Sequence, residues 1–345
     1  MSYRINLISD TVTKPTTAML KAMMEAEVGD DVFKEDPTVI KLEEKLADMF
    51  GHEAGLFCPS GTMANQIAIK GHTKPLDEML CDVHSHVFQF EVGGYAFHSQ
   101  IAVNILHGEN GILNGNMIED NIKAKFDWLP RTKLVVIENT VNRAGGQAYS
   151  LDQLKDVSRS CRKNNLNLHL DGARIFNAMI ASNYTSIQVG PLVDSISICL
   201  SKGLGAPVGS VLIGNKSFID ECRRIRKAMG GGMRQVGVLA AAGIYALDHH
   251  IEKLQIDHIH AKKIEETLLK QTYVSKVIPV MTNIIIFDLA EYISTDLFIK
   301  TLRDHEINCT GFGKRSIRLV THLDINESMV NHVCETLNKI KFKQF

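Results

Sequence analysis

Three short stretches of this chain carry side chains whose type and place could do chemistry. Lys202 follows the apolar run Ile196 to Leu200 and precedes Gly203 and Gly205, which predicts an ammonium emerging at the end of a buried strand. An amine there can shed its proton and attack a carbonyl to form a Schiff base, whereas an isolated lysine is ordinarily a solvated surface group. Asp171 closes a second run, Leu166 to Leu170. A carboxylate in that place either holds a pyridinium nitrogen protonated, as a pyridoxal cofactor needs to act as an electron sink, or caps a helix or pairs with Arg174. Ser60-Gly61-Thr62 opens the helical stretch Met63 to Lys70, where free N–H groups and the helix dipole favour phosphate and where Ser and Thr are equally at home as N-caps. Each reading is weak alone. Together, each at a strand end or a helix start, they point to a phosphate-bearing carbonyl cofactor.

Side chains so far apart in sequence meet only if strands deliver them to one edge of a sheet, and ligands of open α/β sheets sit outside the carboxyl ends of the strands. The middle of the chain has that texture. Leu134 to Ile137 is a short β-branched run, Leu151 to Asn164 has helical spacing behind Ser150 with Gln153 in the capping-box position, and Leu166 to Leu170 alternates again. A helical stretch near Ile175 to Ala181, the runs Ile196 to Leu200 and Val211 to Ile213, and a basic helix Phe218 to Met229 extend the pattern. Strands alternating with helices predict an α/β domain with a largely parallel sheet over residues 1–250, the N-terminal segment included. Beyond Ala240 one long amphipathic helix is predicted through Leu269. Strand (Ile284 to Phe287), helix (Thr295 to Asp304), strand (Ile317 to Val320) and a last helix from about Asn326 then make a smaller α+β domain over residues 251–345.

Composition narrows the partners. Lys and Arg total 38 against 39 Asp and Glu, a formal charge of -1 with no run of one sign, which gives no support to nucleic acid or an anionic membrane as partner. No window approaches the ~18 uninterrupted apolar residues of a membrane span, and the start carries Asp10 and Lys14 without an apolar h-region, so a cytoplasmic setting is expected. The seven cysteines are scattered without a C-x-x-C pair, which suits reduced, buried thiols rather than a disulfide frame or zinc site. His84-x-His86 and His258-x-His260 lack further ligands at recognisable spacing, so no metal is expected, and the second pair is predicted to face solvent. Gly203-Leu-Gly205-Ala-Pro-Val-Gly209 has the wrong spacing for a dinucleotide fingerprint, and Cys199 removes any S-x-x-K reading of Lys202.

The ordered segments SDTVTKPT (9–16), GDDVFKEDPTV (29–39), CPSGTMANQ (58–66), HVFQFEVGG (86–94), HLDGARIFNA (169–178), SKGLGAPVGS (201–210) and RKAMGGGMRQ (226–235) together resemble the threonine aldolase family. These are enzymes of pyridoxal 5'-phosphate fold type I. The likeness runs from about residue 6 to IRLVTHLD (317–324). It implies retro-aldol cleavage of L-threonine or L-allo-threonine to glycine and acetaldehyde. It further implies that Lys202 carries the cofactor, Asp171 pairs with the pyridine nitrogen, His86 stacks on the ring, and Ser60, Gly61 and Thr62 hold the phosphate. Ser9, Arg174 and Arg318 would grip the substrate α-carboxylate, a task suited to the planar guanidinium fork, and Glu91 would line the pocket. Lys227 and Arg234 would reach the phosphate of a neighbouring subunit, implying a homodimer or homotetramer with active sites at the subunit interface.

Two positions depart from the family pattern. Many members have His after Glu-Asn-Thr, but here Glu138-Asn139-Thr140 is followed by Val141, which neither binds a hydroxyl nor relays its proton. Either His86 or a water takes the β-hydroxyl proton and the valine shifts the preferred side chain, or the chain runs a β-elimination or racemisation on the same scaffold. Ile8, where the family often has Arg, reads as a change in packing. A catalytically silent cofactor-binding protein is a further alternative, and the presence of Lys202, Asp171, Arg174 and Arg318 speaks against it.

Overall fold

The protein is described by a computed structural model covering residues 4–342. Its larger unit is built on a seven-stranded sheet, several of whose strands are near-continuous apolar runs because helices cover both faces. Across the sheet the order is Ala54–Cys58, Ser210–Gly214, Ser195–Cys199, Asn167–Gly172, Arg131–Glu138, Asp77–Asp82 and Ala102–Leu106. Of these only Ser210–Gly214 runs against the rest, so the sheet is largely parallel as expected. The six like-directed strands present their carboxyl ends at one edge. Ser60, Glu138, Asp171 and Lys202 all lie at or just beyond those ends.

Local chemistry explains the helices that link the strands. Leu151–Lys163 starts at the expected capping box, with Ser150 Oγ accepting from Gln153 N and the Gln153 side chain accepting from Ser150 N, an arrangement that contributes about 1 kcal/mol. Gly61–His72 is capped by Ser60, whose Oγ accepts from Met63 N at 3.1 Å. Ala64, Ile67 and Ala68 of that helix pack against Leu56, Leu212 and Cys222. Asn65 and Gln66 are buried too; Asn65 Nδ2 and Gln66 Nε2 donate to Glu91, while Gln66 Oε1 is buried without a partner among the described residues.

The smaller unit has an antiparallel sheet in the order Thr310–Gly311, Ser316–Val320, Ile284–Leu289, Val274–Val277, with Phe287, Phe298, Leu319 and Val333 in its core. The chain's first strand is part of it: Ile5–Asn6 pairs in parallel with Ile307–Asn308, and Ile5 and Leu7 sit in the same core. That pairing joins the start of the described chain to the core of the smaller unit, while Ser9, a few residues on, borders the cavity of the larger one.

Two expectations need correction. The long helix after Ala240 is two helices, Gly237–His249 and Leu254–Leu268, because His250 turns inward at the break and its Nδ1 meets Leu204 O at 2.7 Å. His258 and His260 do not face solvent; both are buried, His258 Nε2 lies 3.1 Å from Asn177 Nδ2, and burial pushes the His258 ring down to about 4. Among the described residues no helix is long and apolar enough to cross a membrane.

Candidate active site

A cavity of about 310 Å³ opens at the carboxyl edge of the large sheet, against the small unit. Nine of the residues singled out in the sequence bound it: Ser9, Ser60, Gly61, Thr62, His86, Asp171, Arg174, Lys202 and Arg318. Asn65, Glu138 and Asn142 line it as well, and sequence reasoning assigned none of them a role there. Three expected residues lie elsewhere. Glu91 is buried behind His86: its Oε1 meets His86 Nδ1 at 2.8 Å and accepts from Asn65 Nδ2 at 2.9 Å, and its Oε2 accepts from Gln66 Nε2 at 2.5 Å, the last two donors coming from helix Gly61–His72. Lys227 borders a separate surface cavity of about 740 Å³. Arg234, also exposed, pairs with Asp30 at 2.8 Å.

Asp171 ends its strand with both oxygens held. Oδ2 accepts from Asn65 Nδ2 at 2.9 Å and Oδ1 from Ala173 N at 3.1 Å, which fixes the carboxylate at the cavity floor. Lys202 lies in the turn after Ser195–Cys199, half-buried. His86 opens the short helix His86–Gln89; its N–H donates to Glu138 Oε2 at 2.7 Å. Burial alone would lower the His86 ring, but the Glu91 hydrogen bond and the charges of Asp171, Glu91 and Glu138 reverse this and raise it above the ordinary histidine range.

Glu138 is the unexpected carboxyl. Oε1 accepts from Asn142 N at 2.9 Å, and burial, reinforced by the Asp171 charge, pushes Glu138 up to about 7. Val141, three residues on, does not reach the cavity. Its side chain is buried against Gly111, where a Cβ would come within 2.6 Å of Val141 Cγ1. The sequence comparison that set Val141 in the pocket is thereby corrected: the chain turns its side chain into the core, and Glu138 and Asn142 face the cavity instead.

The two arginines differ. Arg174 is locked to buried Asp10 by a bidentate pair, Nε to Oδ2 at 2.7 Å and Nη2 to Oδ1 at 2.6 Å. Burial would raise Asp10, and the Arg174 charge and hydrogen bonds overcome it and hold that carboxyl well below its usual range. Arg318 stands on Ser316–Val320 and has no carboxylate partner; Nη1 donates to Asn142 Oδ1 and Nη2 to Ile8 O, both at 3.1 Å, and Nε is buried without a partner. Burial, then repulsion from Arg174, lower it to about 10. A desolvated cation with an unused donor is a site for an anion, and a bound carboxylate would relieve both penalties. Ile8 serves through its main chain here, whatever its side chain.

This donor set fits a pyridoxal phosphate. An amine, a fixed carboxylate, an imidazole and the N-terminus of a twelve-residue helix share one cavity, and the first N–H groups of such a helix have no intrahelical partner to compete with phosphate.

The sequence model of the beta-eliminating lyase family matches residues 6–292. The low specificity L-threonine aldolase of Escherichia coli (strain K12) is 41% identical over 332 residues, covering 95% of this chain and 97% of that protein. Low-specificity L-threonine aldolase 1 of Arabidopsis thaliana is 38% identical over 335 residues, covering 95% and 94%. The solved structure of Leishmania major threonine aldolase superposes with a TM-score of 0.83 at 20% identity over 97% of this chain and 99% of that one, a likeness of fold.

Proposed function

This chain belongs to the threonine aldolase family, within the beta-eliminating lyases, and on that premise we propose that it cleaves L-threonine and L-allo-threonine to glycine and acetaldehyde with pyridoxal 5'-phosphate as cofactor. The observation that carries the reading is the convergence of Lys202, Asp171 and the arginine pair on one cavity.

Lys202 would hold the cofactor's carbonyl carbon, Asp171 would face its ring nitrogen, His86 would lie against the ring, and Ser60, Gly61 and Thr62 would hold its phosphate. Bound there, the cofactor supplies the electron sink. The protein's share is positioning. Arg318 and Arg174, with Ser9, would hold the substrate α-carboxylate and so fix the orientation of the bonds at Cα. Glu138 and His86 both line the cavity, and a carboxyl raised to about 7 is balanced between holding and releasing a hydroxyl proton at neutral pH. Asp10 keeps Arg174 in place by pairing with Nε and Nη2, which leaves Nη1 for the substrate.

A homodimeric or homotetrameric assembly belongs to the same proposal; it is supported by Lys227 and Arg234, both exposed outside the cavity of their own chain. A cytoplasmic setting is supported by seven cysteines that all stand as free thiols.

The test is release of glycine and acetaldehyde from L-threonine, L-allo-threonine and their D-enantiomers by the purified, cofactor-loaded protein. Release from the L-forms alone is expected, and no aldehyde from any of the four overturns the reading. A second reading, β-elimination, is favoured by the description of the matching family. Pyruvate and ammonia from L-serine would establish it.

A further inference from the structure

From Asn65 on the cavity wall a line of side chains that the roles above do not use runs back behind Asp171 into the sheet. Asn65 Nδ2 donates to Asp171 Oδ2 and to Glu91 Oε1. Asn65 Oδ1 accepts from Ser197 Oγ at 2.5 Å and lies 3.2 Å from His169 Nε2. His169 Nδ1 is 2.8 Å from Ser195 Oγ, which is 2.7 Å from His72 Nε2.

Donor and acceptor chemistry sets the direction of every proton. A carboxamide oxygen only accepts, so His169 carries its hydrogen on Nε2. Burial pushes His169 down to about 4, which leaves the ring neutral and Nδ1 bare, so Ser195 donates to it. Ser195 Oγ then accepts from the Nε2–H of His72, a ring that burial pushes down to about 3. All the hydrogens point toward Asp171 and Glu91.

We propose that Asn65, His169, Ser195 and His72 form a positioning chain that keeps the Asp171 carboxylate aimed at the ring nitrogen of the cofactor. Its working part is the Asn65 amide, which serves two carboxylates at once and must not turn over. With Ser195 in place His169 is confined to the Nε2–H tautomer, and Asn65 Oδ1 is confined to its side. Without the serine hydroxyl, Nδ1 of His169 has no donor and the ring is free to turn, so the Nε2–H that braces Asn65 Oδ1 is lost and the amide is no longer held against Asp171 and Glu91. The inference rests on the assignment of Asp171 to the ring nitrogen.

The experiment is nitrogen NMR of holoenzyme loaded with cofactor carrying 15N in the ring, alongside kcat and KM, for the wild type, Ser195→Ala, His169→Leu, His169→Gln and Asp171→Asn. Expected is a ring-nitrogen resonance moved toward the unprotonated position in Ser195→Ala and His169→Leu. In these two kcat falls on the order of tenfold, the usual scale for groups that orient a functional group from behind, with KM little changed. His169→Gln, which keeps an N–H for Asn65 Oδ1, stays near the wild type. Ser195→Ala removes a single oxygen, so it remains informative if His169→Leu does not fold. Wild-type resonance and kcat in Ser195→Ala overturn the chain. A resonance unmoved in Asp171→Asn overturns the Asp171 assignment itself, a different failure.

Discussion

Glu138 and Asp171 are register partners on adjacent parallel strands, so two buried carboxyls stand at the same level of one sheet edge. Burial, and then the charge of Asp171, raise Glu138 from 4.5 to about 7. An acid raised in the folded state keeps its proton over a range where the unfolded chain has lost it, so its contribution to stability falls as pH climbs from about 4.5 through about 7. Glu138→Gln cannot ionise and lacks that fall. Urea unfolding of the cofactor-free proteins at about pH 5 and about pH 8 is expected to show the stability difference moving against the wild type by on the order of 3 kcal/mol. A difference independent of pH would mean that Glu138 titrates in its usual range.

Lys202→Ala is expected to abolish glycine release while leaving the thermal midpoint within a few degrees, since the side chain is only half-buried and fastened to no neighbour in the core. Borohydride reduction followed by peptide mass analysis provides the second readout. Cofactor should be fixed to the peptide containing Lys202 in the wild type and to no peptide in the variant.

Arg318→Ala should raise KM for L-threonine about 10- to 100-fold, the loss of one charge-assisted hydrogen-bonded contact worth about 1.5–3 kcal/mol. Arg318→Lys should not restore it, because an ammonium cannot reproduce the fork that reaches Asn142, Ile8 and a carboxylate together. Steady-state kinetics decides; a lysine variant with wild-type KM would show that charge alone suffices.

Restoring the histidine common in the family is expected to fail. Val141 fills core space beside Gly111, which itself holds φ +75, so Val141→His forces a larger polar ring into a tight site and costs about 1–3 kcal/mol. Thermal unfolding should register the loss, with no gain in kcat. A faster, equally stable variant would mean that position 141 turns toward the cavity when it carries an imidazole.

What could be read from the sequence follows from distance along the chain. Lys202, Asp171 and Ser60 to Thr62 are legible because apolar runs and caps mark strand ends and helix starts. Asn65 and Asp10 are not, since their meaning lies in partners 106 and 164 residues away, Asp171 and Arg174. The strand Asp77–Asp82 is hidden by its own composition. Three acids in six residues read as a surface turn, yet all are buried, with Asp77 paired to Arg131, Glu78 to Thr132 and Asp82 to the N–H groups of His84 and Gly108. The break at His250 leaves no mark either, because helical periodicity continues on both sides of it. For Lys227 and Arg234 the single chain gives an address on the surface and nothing to bind there.

The pairing of Ile5–Asn6 with Ile307–Asn308 bears on how the molecule assembles in time. A strand at residues 5–6 must wait for its partner at residues 307–308, and closing so long a loop is slow because its entropy is lost before any contact rewards it. Ser9, Asp10 and the Ile8 carbonyl follow directly on that strand, and with Leu7 N bound to Asn308 O and Val320 N to Leu7 O they are set in place by the same event. The large sheet can form while the chain is still growing. The wall of the cavity formed by Ser9 and the Asp10–Arg174 pair comes into being only when residues 5–6 meet residues 307–308, so a chain that has not joined them can hold a largely formed sheet and still lack the proposed carboxylate site.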